Sequence, residues 1–454
     1  MKKIENRAVV CFLLALVLAA GMVVFLFRYL TQGGDWASSA FNRHLYNAQG
    51  QLTAGTVLDR DGDVLSSAEN GARTYYDSET VRKATLHAVG DLQGRIGTGA
   101  LNAFAGRLTG WNLLNGAFDA DRGGELTLTI DARYNYEAYQ ALNGRAGTVA
   151  VYNYKTGEVL CMVSAPSYDP LSVPEDIETN PRYKGAYVNR FLSSVFTPGS
   201  VYKTVTLTAA LENLPDIESR TWSCTGSLRL GEETIICSGV HGEQDIAAAF
   251  ANSCNAAFAD IAVELGAETL RKYTEQAGLT ASYGLNGLTT AKGSFDWALD
   301  SGRLGWAGVG QDKDLVNPCA LMVWMGAIAG GGRAAEPCLI LKSRNVIPSL
   351  PHWTRKTGVL INPSTAERVA DLMAGNVEKT YGSSRFPNMD LCAKSGTAEV
   401  GEGAAPHAWF AGFLRNEDAP YAFVVLVENG GGGSRVAGDV AARTLDVMVN
   451  GYEK

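Results

Sequence analysis

Three short segments carry side chains whose types and spacing suit acyl-transfer chemistry. The first is Thr197-Pro198-Gly199-Ser200-Val201-Tyr202-Lys203. Pro-Gly followed by Ser and a helix-forming run reads as a helix start, which puts Ser200 and Lys203 on one face of the first turn. A serine hydroxyl is a weak nucleophile until a neighbouring base takes its proton. A lysine becomes that base when its pKa falls, and burial and a second cation both push it down. The helix N-terminus also favours negative charge on Ser200. The second segment is Ser253-Cys254-Asn255. Residues two apart on an extended or loop segment point the same way, so a hydroxyl that relays a proton and an amide that holds a substrate amide can share a cleft. The third is Lys394-Ser395-Gly396-Thr397. It reads as a strand on which Ser395 and Thr397 share a face suited to a carboxylate, Gly396 admits another backbone, and Lys394 supplies the second cation. The backbone N–H groups of Ser200 and Thr397 are the candidate oxyanion donors.

Positioning three segments so far apart in the chain requires a sheet closed by distant pieces. Glu125–Ile130 alternates polar and apolar residues and reads as a strand, and Asp131 is placed to cap a helix running to Asn143. Gly147–Tyr152 and Glu158–Ser164 flank a Lys155-Thr156-Gly157 turn and read as a hairpin. Ala408–Leu414 and Tyr421–Glu428 read as a second hairpin, followed by a helix over Val436–Val449. Strands at both ends of a long helical middle predict one α/β (α+β) domain. Ahead of it, Thr56–Leu65 reads as two short strands around an Asp-Gly turn. Residues 90–124 are rich in glycine and poor in periodicity, which predicts a small module of low internal order. Gly430–Gly433 lacks the Gly-Lys-Ser/Thr that a phosphate loop needs and reads as a flexible connection. The chain also lacks His-Glu-x-x-His and Gly-x-Ser-x-Gly, and its five histidines are scattered.

The 454 residues are 46% hydrophobic and 19% charged, a globular balance that excludes disorder for the bulk of the chain. A net charge of −8 argues against a nucleic-acid partner. Ala8–Phe27 is an unbroken apolar run of 20 residues, enough to cross a hydrocarbon core of about 30 Å at about 1.5 Å per residue. It is longer than a signal-peptide core and ends in Phe25-Leu26-Phe27-Arg28-Tyr29, a poor cleavage site, so a retained anchor is expected. Lys2, Lys3 and Arg7 precede it and place the N-terminus in the cytoplasm, with everything after Tyr29 outside. The predicted division is a tail over 1–7, a transmembrane helix over 8–28, a membrane-proximal module over 29–124 and a larger domain over 125–454.

The ordered set Ser-x-x-Lys, Ser-x-Asn and Lys-Ser-Gly resembles that of the penicillin-recognising serine enzymes, and the chain resembles the class B penicillin-binding proteins in particular. The likeness extends to Lys155–Leu160, Ser164–Pro170, Asn189-Arg190, Gly308–Gln311, Asn317-Pro318 and Ala398-Glu399. It departs at Ala54-Gly55-Thr56-Val57-Leu58-Asp59-Arg60, where the family often has an Arg first, and the module there is short for a partner-binding pedestal. The resemblance implies the penicillin-binding transpeptidase fold: an antiparallel sheet flanked by helices, a helical subdomain, a pedestal and an anchor. It implies a peptidoglycan D,D-transpeptidase, inhibited by β-lactams through acylation of Ser200 and working without a metal or other cofactor. Lys203 would be the base, and Ser253 and Lys394 proton-relay or polarising groups. Asn255 would hold the stem peptide, with Ser395, Gly396 and Thr397 at the terminal carboxylate. A membrane glycan polymerase of the shape, elongation, division and sporulation (SEDS) type is the implied partner. A D,D-carboxypeptidase or β-lactamase shares the first chemical step, and a non-catalytic β-lactam sensor or division scaffold is the alternative of another class.

Of eight cysteines, Cys11 lies in the apolar run; Cys161, Cys224, Cys237, Cys254, Cys319, Cys338 and Cys392 follow it. Cys224, Cys237, His241 and Cys254 are spaced 13, 4 and 13 apart. Three readings stay open: a Cys224–Cys237 disulfide, a Cys3His structural zinc site, or unpaired residues.

Overall fold

The computed structural model describes residues 2–37, 52–69, 71–110, 123–297, 300–344, 354–401 and 403–451. Its first element is a helix over Lys2–Ala37. The stretch Ile4–Gly34 is long and apolar enough to cross a membrane, with a mean hydropathy of 3.1 over an 18-residue window. Val9, Phe12, Leu13, Val17, Phe25 and Phe27 are all more than half exposed on it. A stretch apolar on every side and left uncovered among the described residues suits a lipid surrounding.

The central sheet has five strands, β1 (Gly147–Asn153), β2 (Val159–Ala165), β3 (Leu391–Ala398), β4 (His407–Leu414) and β5 (Tyr421–Val427), in the order β3-β4-β5-β1-β2. Every neighbouring pair is antiparallel. Both expected hairpins form, and the last strand of the second pairs with the first strand of the first, which closes the sheet across the chain. The strands bury both faces. Val149, Val151, Phe410, Phe423 and Val425 pack with the helices Ala132–Leu142 and Gly433–Asn450. The alternate residues Ala150, Tyr152, Trp409, Val424 and Leu426 pack with the helix Pro318–Ala329 and the core beyond it. This is the period-two alternation of a strand between two layers. Asp131 caps the first of these helices, its carboxylate accepting from the N–H groups of Arg133 and Tyr134.

The helix Pro318–Ala329 is apolar all round and its first eleven residues are buried, as a helix between a sheet and other helices must be. Trp324 Nε1 donates to Thr204 Oγ1 at 2.9 Å, which ties it to the helix Lys203–Asn213. Around that helix stand Ile246–Ala251, Asn255–Gln276, Ser301–Gly308 and Pro363–Asn376, the helical subdomain.

A second five-stranded sheet lies toward the anchor. Its order is Ile340–Arg344, Glu125–Leu128, Thr56–Leu58, Val64–Glu69, Ala72–Tyr75. Thr56–Leu58 runs parallel to Glu125–Leu128, so strands from both sides of residue 124 share one sheet. The Asp-Gly turn forms as expected: the buried Asp59 accepts from the N–H groups of Asp61 and Asp63 at 3.0 and 2.9 Å, and from that of Ala132 at 3.1 Å. The expectation of low order for residues 90–124 is corrected over 90–110. There Ile96, Ala100, Leu101, Phe104 and Leu108 are buried around two four-residue helices, Ala100–Ala103 and Ala105–Leu108. Helices that short carry too few turns to show a period. Residues 111–122 lie outside the described residues.

Candidate active site

The segment 197–203 is a tight turn rather than the start of a plain α-helix. Gly199–Tyr202 forms a 3-10 turn that runs into the helix Lys203–Asn213. Gly199 has φ +56°, and a Cβ there would lie 2.7 Å from the Thr397 carbonyl oxygen. On β3, a Cβ at Gly396 would lie 3.0 Å from the Pro198 carbonyl oxygen and 3.1 Å from Val201 Cγ1. Only glycine at both positions lets the turn lie against the strand at this distance. Two further contacts hold the turn: Gly199 N–H donates to the Gly310 carbonyl at 2.8 Å, and Trp409 Nε1 donates to the Thr197 carbonyl at 2.9 Å.

Ser200 is half-buried and opens on a cleft of about 840 Å3 that Ser253, Asn255, Ser395 and Thr397 also line. Beneath it lie Lys203 and Lys394, both with no exposed surface. Lys203 Nζ donates to the Ser253 carbonyl at 2.6 Å, to Asn255 Oδ1 at 2.7 Å and to Ser253 Oγ at 3.2 Å. Lys394 Nζ donates to the same Ser253 Oγ at 3.0 Å and to the Ser395 carbonyl at 3.0 Å. One hydroxyl thus joins the two amines, accepting from both and keeping its own proton to donate. Lys203 stands over the Phe258 ring at 5.5 Å and Lys394 over the Phe250 ring at 5.7 Å. Among the described residues neither lysine makes an ion pair. Burial pulls Lys203 down to about 7. Burial, then the charge of Lys203, pulls Lys394 well below the ordinary lysine range. A buried ammonium with no carboxylate gives up its proton, which turns it into a base at neutral pH.

Ser253 occupies the junction between the helices Ile246–Ala251 and Asn255–Gln276 and has φ +53°. That left-handed backbone costs an L-residue roughly 1–2 kcal/mol. It is held by Ser253 N–H to the Phe250 carbonyl at 3.1 Å and Cys254 N–H to the Ala249 carbonyl at 2.9 Å. Asn255 is the first residue of its helix, and its Nδ2 donates to the Ile236 carbonyl at 2.7 Å. The sequence places Ser253 and Asn255 on one side of an extended or loop segment; a left-handed residue at a helix start brings both to Lys203.

On β3, Lys394 and Gly396 are buried, while Ser395 is half-buried and Thr397 exposed at the cleft. All eight residues singled out from the sequence therefore meet in one place. Tyr381, Arg303 and Asp312 had no sequence signal. The buried Tyr381 donates to Ser395 Oγ at 3.1 Å and accepts from the Ser395 N–H at 2.8 Å. It comes from the turn Val377–Tyr381, which packs on β3 from outside every recognisable motif. Arg303 lines the cleft and is fixed by Asp312 (Nε to Oδ1 3.1 Å, Nη2 to Oδ2 2.8 Å) and Asp296. Gln311 Nε2 reaches the Thr397 carbonyl at 3.5 Å. At the rim, Cys224, Cys237, His241 and Cys254 converge, and all eight cysteines of the chain are unbridged.

Residues 147–446 match the family model of the penicillin binding protein transpeptidase domain. The chain is 27% identical over 425 residues to the peptidoglycan D,D-transpeptidase PbpA of Mycobacterium tuberculosis, a match covering 84% of each chain. It is 25% identical over 359 residues to penicillin-binding protein 3 of Bacillus subtilis, covering 72% of this chain and 52% of that one. Among solved structures, a D,D-transpeptidase domain from Eggerthella lenta superposes with a TM-score of 0.75 at 27% identity, covering 87% of this chain and 98% of that one. The ceftriaxone acyl-enzyme of penicillin-binding protein A from M. tuberculosis superposes with a TM-score of 0.76 at 24% identity, covering 87% and 97%.

Proposed function

The chain belongs to the penicillin-binding protein transpeptidase family, and on that premise we propose that its Ser200 is the acylated nucleophile of a peptidoglycan D,D-transpeptidase. Ser200 Oγ attacks the carbonyl between the two D-alanines of a stem peptide, and its proton passes to the neutral amine of Lys203. The N–H groups of Ser200 and Thr397 take the developing oxyanion. The C–N bond breaks, the leaving D-alanine amine receives a proton through Ser253, and an acyl ester remains on Ser200. The amine of a second stem attacks that ester, the acyl C–O bond breaks, and the amine's proton passes through the Lys203 and Ser253 pair to Ser200 Oγ, which is released as the free hydroxyl. Burial lowers the pKa of Lys203, and Lys394 donates to Ser253 Oγ and polarises it. Asn255 holds the donor peptide, and Ser395 and Thr397 hold the terminal carboxylate in the space that Gly396 leaves open. A β-lactam follows the first half of this path, its ring amide opening onto Ser200.

The observation that carries this reading is the shared Ser253 hydroxyl between two wholly buried lysines beneath a cleft that exposes Ser200. Intact-mass measurement of the full chain in detergent after incubation with benzylpenicillin tests it. One adduct per chain is expected, and none on Ser200→Ala; an adduct that survives the substitution removes Ser200 from the role.

The N-terminal apolar helix anchors the chain in a membrane. The proposed orientation, N-terminus in the cytoplasm and the transpeptidase domain outside, rests on Lys2, Lys3 and Arg7. Protease digestion of the domain in intact spheroplasts is expected, and full protection would reverse the assignment. We also propose that residues 29–124 act as a pedestal for the domain from Glu125 onward. The sheet shared across residue 124 favours a stiff joint. A glycan polymerase of the SEDS type is the proposed membrane partner, expected to co-purify with the anchored chain and not with one lacking residues 1–37.

A further inference from the structure

Beside the cleft, four residues at the ends of four elements aim their side chains at one point. Cys224 ends the strand Thr221–Cys224, and His241 precedes the strand Gly242–Asp245 that pairs with it. Cys237 follows the strand Glu233–Ile236, and Cys254 stands at the start of the helix Asn255–Gln276. One ligand atom from each lies within 4.8 Å of all the others. Cys224 Sγ is 3.7 Å from Cys237 Sγ, Cys237 Sγ is 3.8 Å from Cys254 Sγ, and Cys224 Sγ is 3.4 Å from His241 Nδ1.

These separations have a simple reading. With zinc–sulfur bonds of about 2.3 Å and zinc–nitrogen bonds of about 2.0–2.1 Å, a tetrahedral ion puts its sulfurs about 3.8 Å apart and sulfur about 3.5 Å from nitrogen. A disulfide requires about 2.05 Å and joins two sulfurs, leaving the third sulfur and the imidazole unexplained. Cys224 and Cys254 are buried, and Cys237 and His241 are half-buried, so the centre is closed on most sides. The Ala256 N–H donates to Cys237 Sγ at 3.2 Å, the kind of backbone donor that supports a metal-bound thiolate. Three soft thiolates and one imidazole select zinc over magnesium or calcium, which take oxygen ligands.

We propose that Cys224, Cys237, His241 and Cys254 bind one zinc ion as a closed structural Cys3His site. Binding releases the three thiol protons and leaves a site of net charge about −1. Its position gives it a second role. Cys254 is the middle residue of Ser253-Cys254-Asn255, and Cys237 follows Ile236, whose carbonyl accepts from Asn255. The ion therefore fastens the hairpin Ser227–Leu230/Glu233–Ile236 to the left-handed backbone at Ser253. The four ligands act as positioning residues for Ser253 and Asn255. This second role rests on the reading of the site as a transpeptidase; the metal site itself does not.

The test uses the full chain purified in detergent without a histidine tag. Elemental analysis is expected to give about one zinc per chain, falling at least fivefold in Cys224→Ser and in His241→Ala. Folding of the variants need not be assumed, because cobalt(II) exchanged into the wild type reports on the same ligands. The intense visible bands of a tetrahedral ion and a near-ultraviolet thiolate charge-transfer band are expected. A wild type without zinc that takes up neither metal overturns the proposal, as does a cobalt spectrum lacking thiolate bands or an intact mass two hydrogens light from a Cys224–Cys237 disulfide. Removing zinc with a chelator is expected to slow benzylpenicillin acylation about tenfold, with recovery on zinc addition. An unchanged rate on the metal-free chain overturns the positioning role. A chain that holds zinc and is never acylated would instead sink the transpeptidase reading and leave the metal site standing.

Discussion

The proposed membrane-proximal module and the active site both bury cations, and they treat them in opposite ways. In the module, Arg73 is buried yet donates to the carbonyls of Leu52, Ala54 and Gly55 and to Ser66 Oγ. Burial pulls it down only to about 10, so it stays charged at neutral pH. Arg82 grips Asp169 with two bonds, Nε to Oδ1 at 2.8 Å and Nη2 to Oδ2 at 2.6 Å, and donates to the carbonyls of Tyr76 and Asp77. That pair fastens the module to the loop after β2. The active site buries two lysine side chains instead, sets them around one hydroxyl and, among the described residues, gives neither a carboxylate. A guanidinium with a fork of donors holds structure without changing state. A lysine deprived of water and of a counter-charge loses its proton and is free to accept one from a nucleophile.

The contrast can be broken from the catalytic side first. Ser200→Ala is expected to remove acylation altogether, as read by intact mass. Lys203→Arg keeps a cation that cannot serve as base, and the acylation rate constant is expected to fall about 10²–10⁴-fold in stopped-flow or gel-based labelling. If Arg supports more than a tenth of the wild-type rate, Lys203 is not the base.

Protonation sharpens the same point. With Lys203 near 7 in the folded chain, acylation is expected to rise with pH through about 7 and then level off. The folded pKa lies below the unfolded one, so the unfolded chain binds more protons between the two values. Stability therefore rises with pH from about 7 toward the ordinary lysine range, and the cost of the buried lysine is full below 7. The stability difference between Lys203→Met and wild type is expected to shift in favour of the wild type over that window in urea melts; a flat difference would mean the amine stays charged.

On the structural side, Arg82→Ala strands a mostly buried Asp169, whose side chain is 8% exposed. A loss of about 2–3 kcal/mol in folding stability is expected, with the acylation rate of the folded chain unchanged. A large loss of rate would make this arginine part of the catalytic machinery. The smallest effect is assigned to Tyr381→Phe, which removes one hydroxyl from the Ser395 backbone and side chain. A few-fold rise in the β-lactam concentration needed for half-maximal acylation is expected, with the limiting rate nearly constant.

Much of the fold was legible in the chain because the signals are local. The two hairpins are bounded by turn residues and alternate in hydropathy, Asp131 announces its helix, and Ala8–Phe27 declares a membrane span by length alone. The short helices at Ala100–Ala103 and Ala105–Leu108 were not legible, since a four-residue helix has no period. Nor was the parallel pairing of Thr56–Leu58 with Glu125–Leu128, which joins strands 69 positions apart in register. At the site, the three motifs were legible because their residue types are unusual together. Tyr381, Arg303 and Asp312 were not, because none lies in a motif and each matters through a side-chain contact, Tyr381 with Ser395 14 positions away and Arg303 with Asp312 nine away, that residue type and spacing do not announce.

By itself the sequence determined which groups are present: a serine, two lysines, a relay hydroxyl, two glycines where backbones must touch, and a set of three cysteines and a histidine with three open readings. Residue type is written in the chain, and so is spacing within a turn or strand. The tertiary structure decided which of those groups share an environment. Only packing of the helices around Lys203–Asn213 against β3 removes water from Lys203 and Lys394 together, and desolvation belongs to a place in the fold rather than to a residue. Only the left-handed Ser253 backbone sets one hydroxyl between both amines, and only the closing of the hairpin onto the helix Asn255–Gln276 brings three sulfurs and an imidazole to one point.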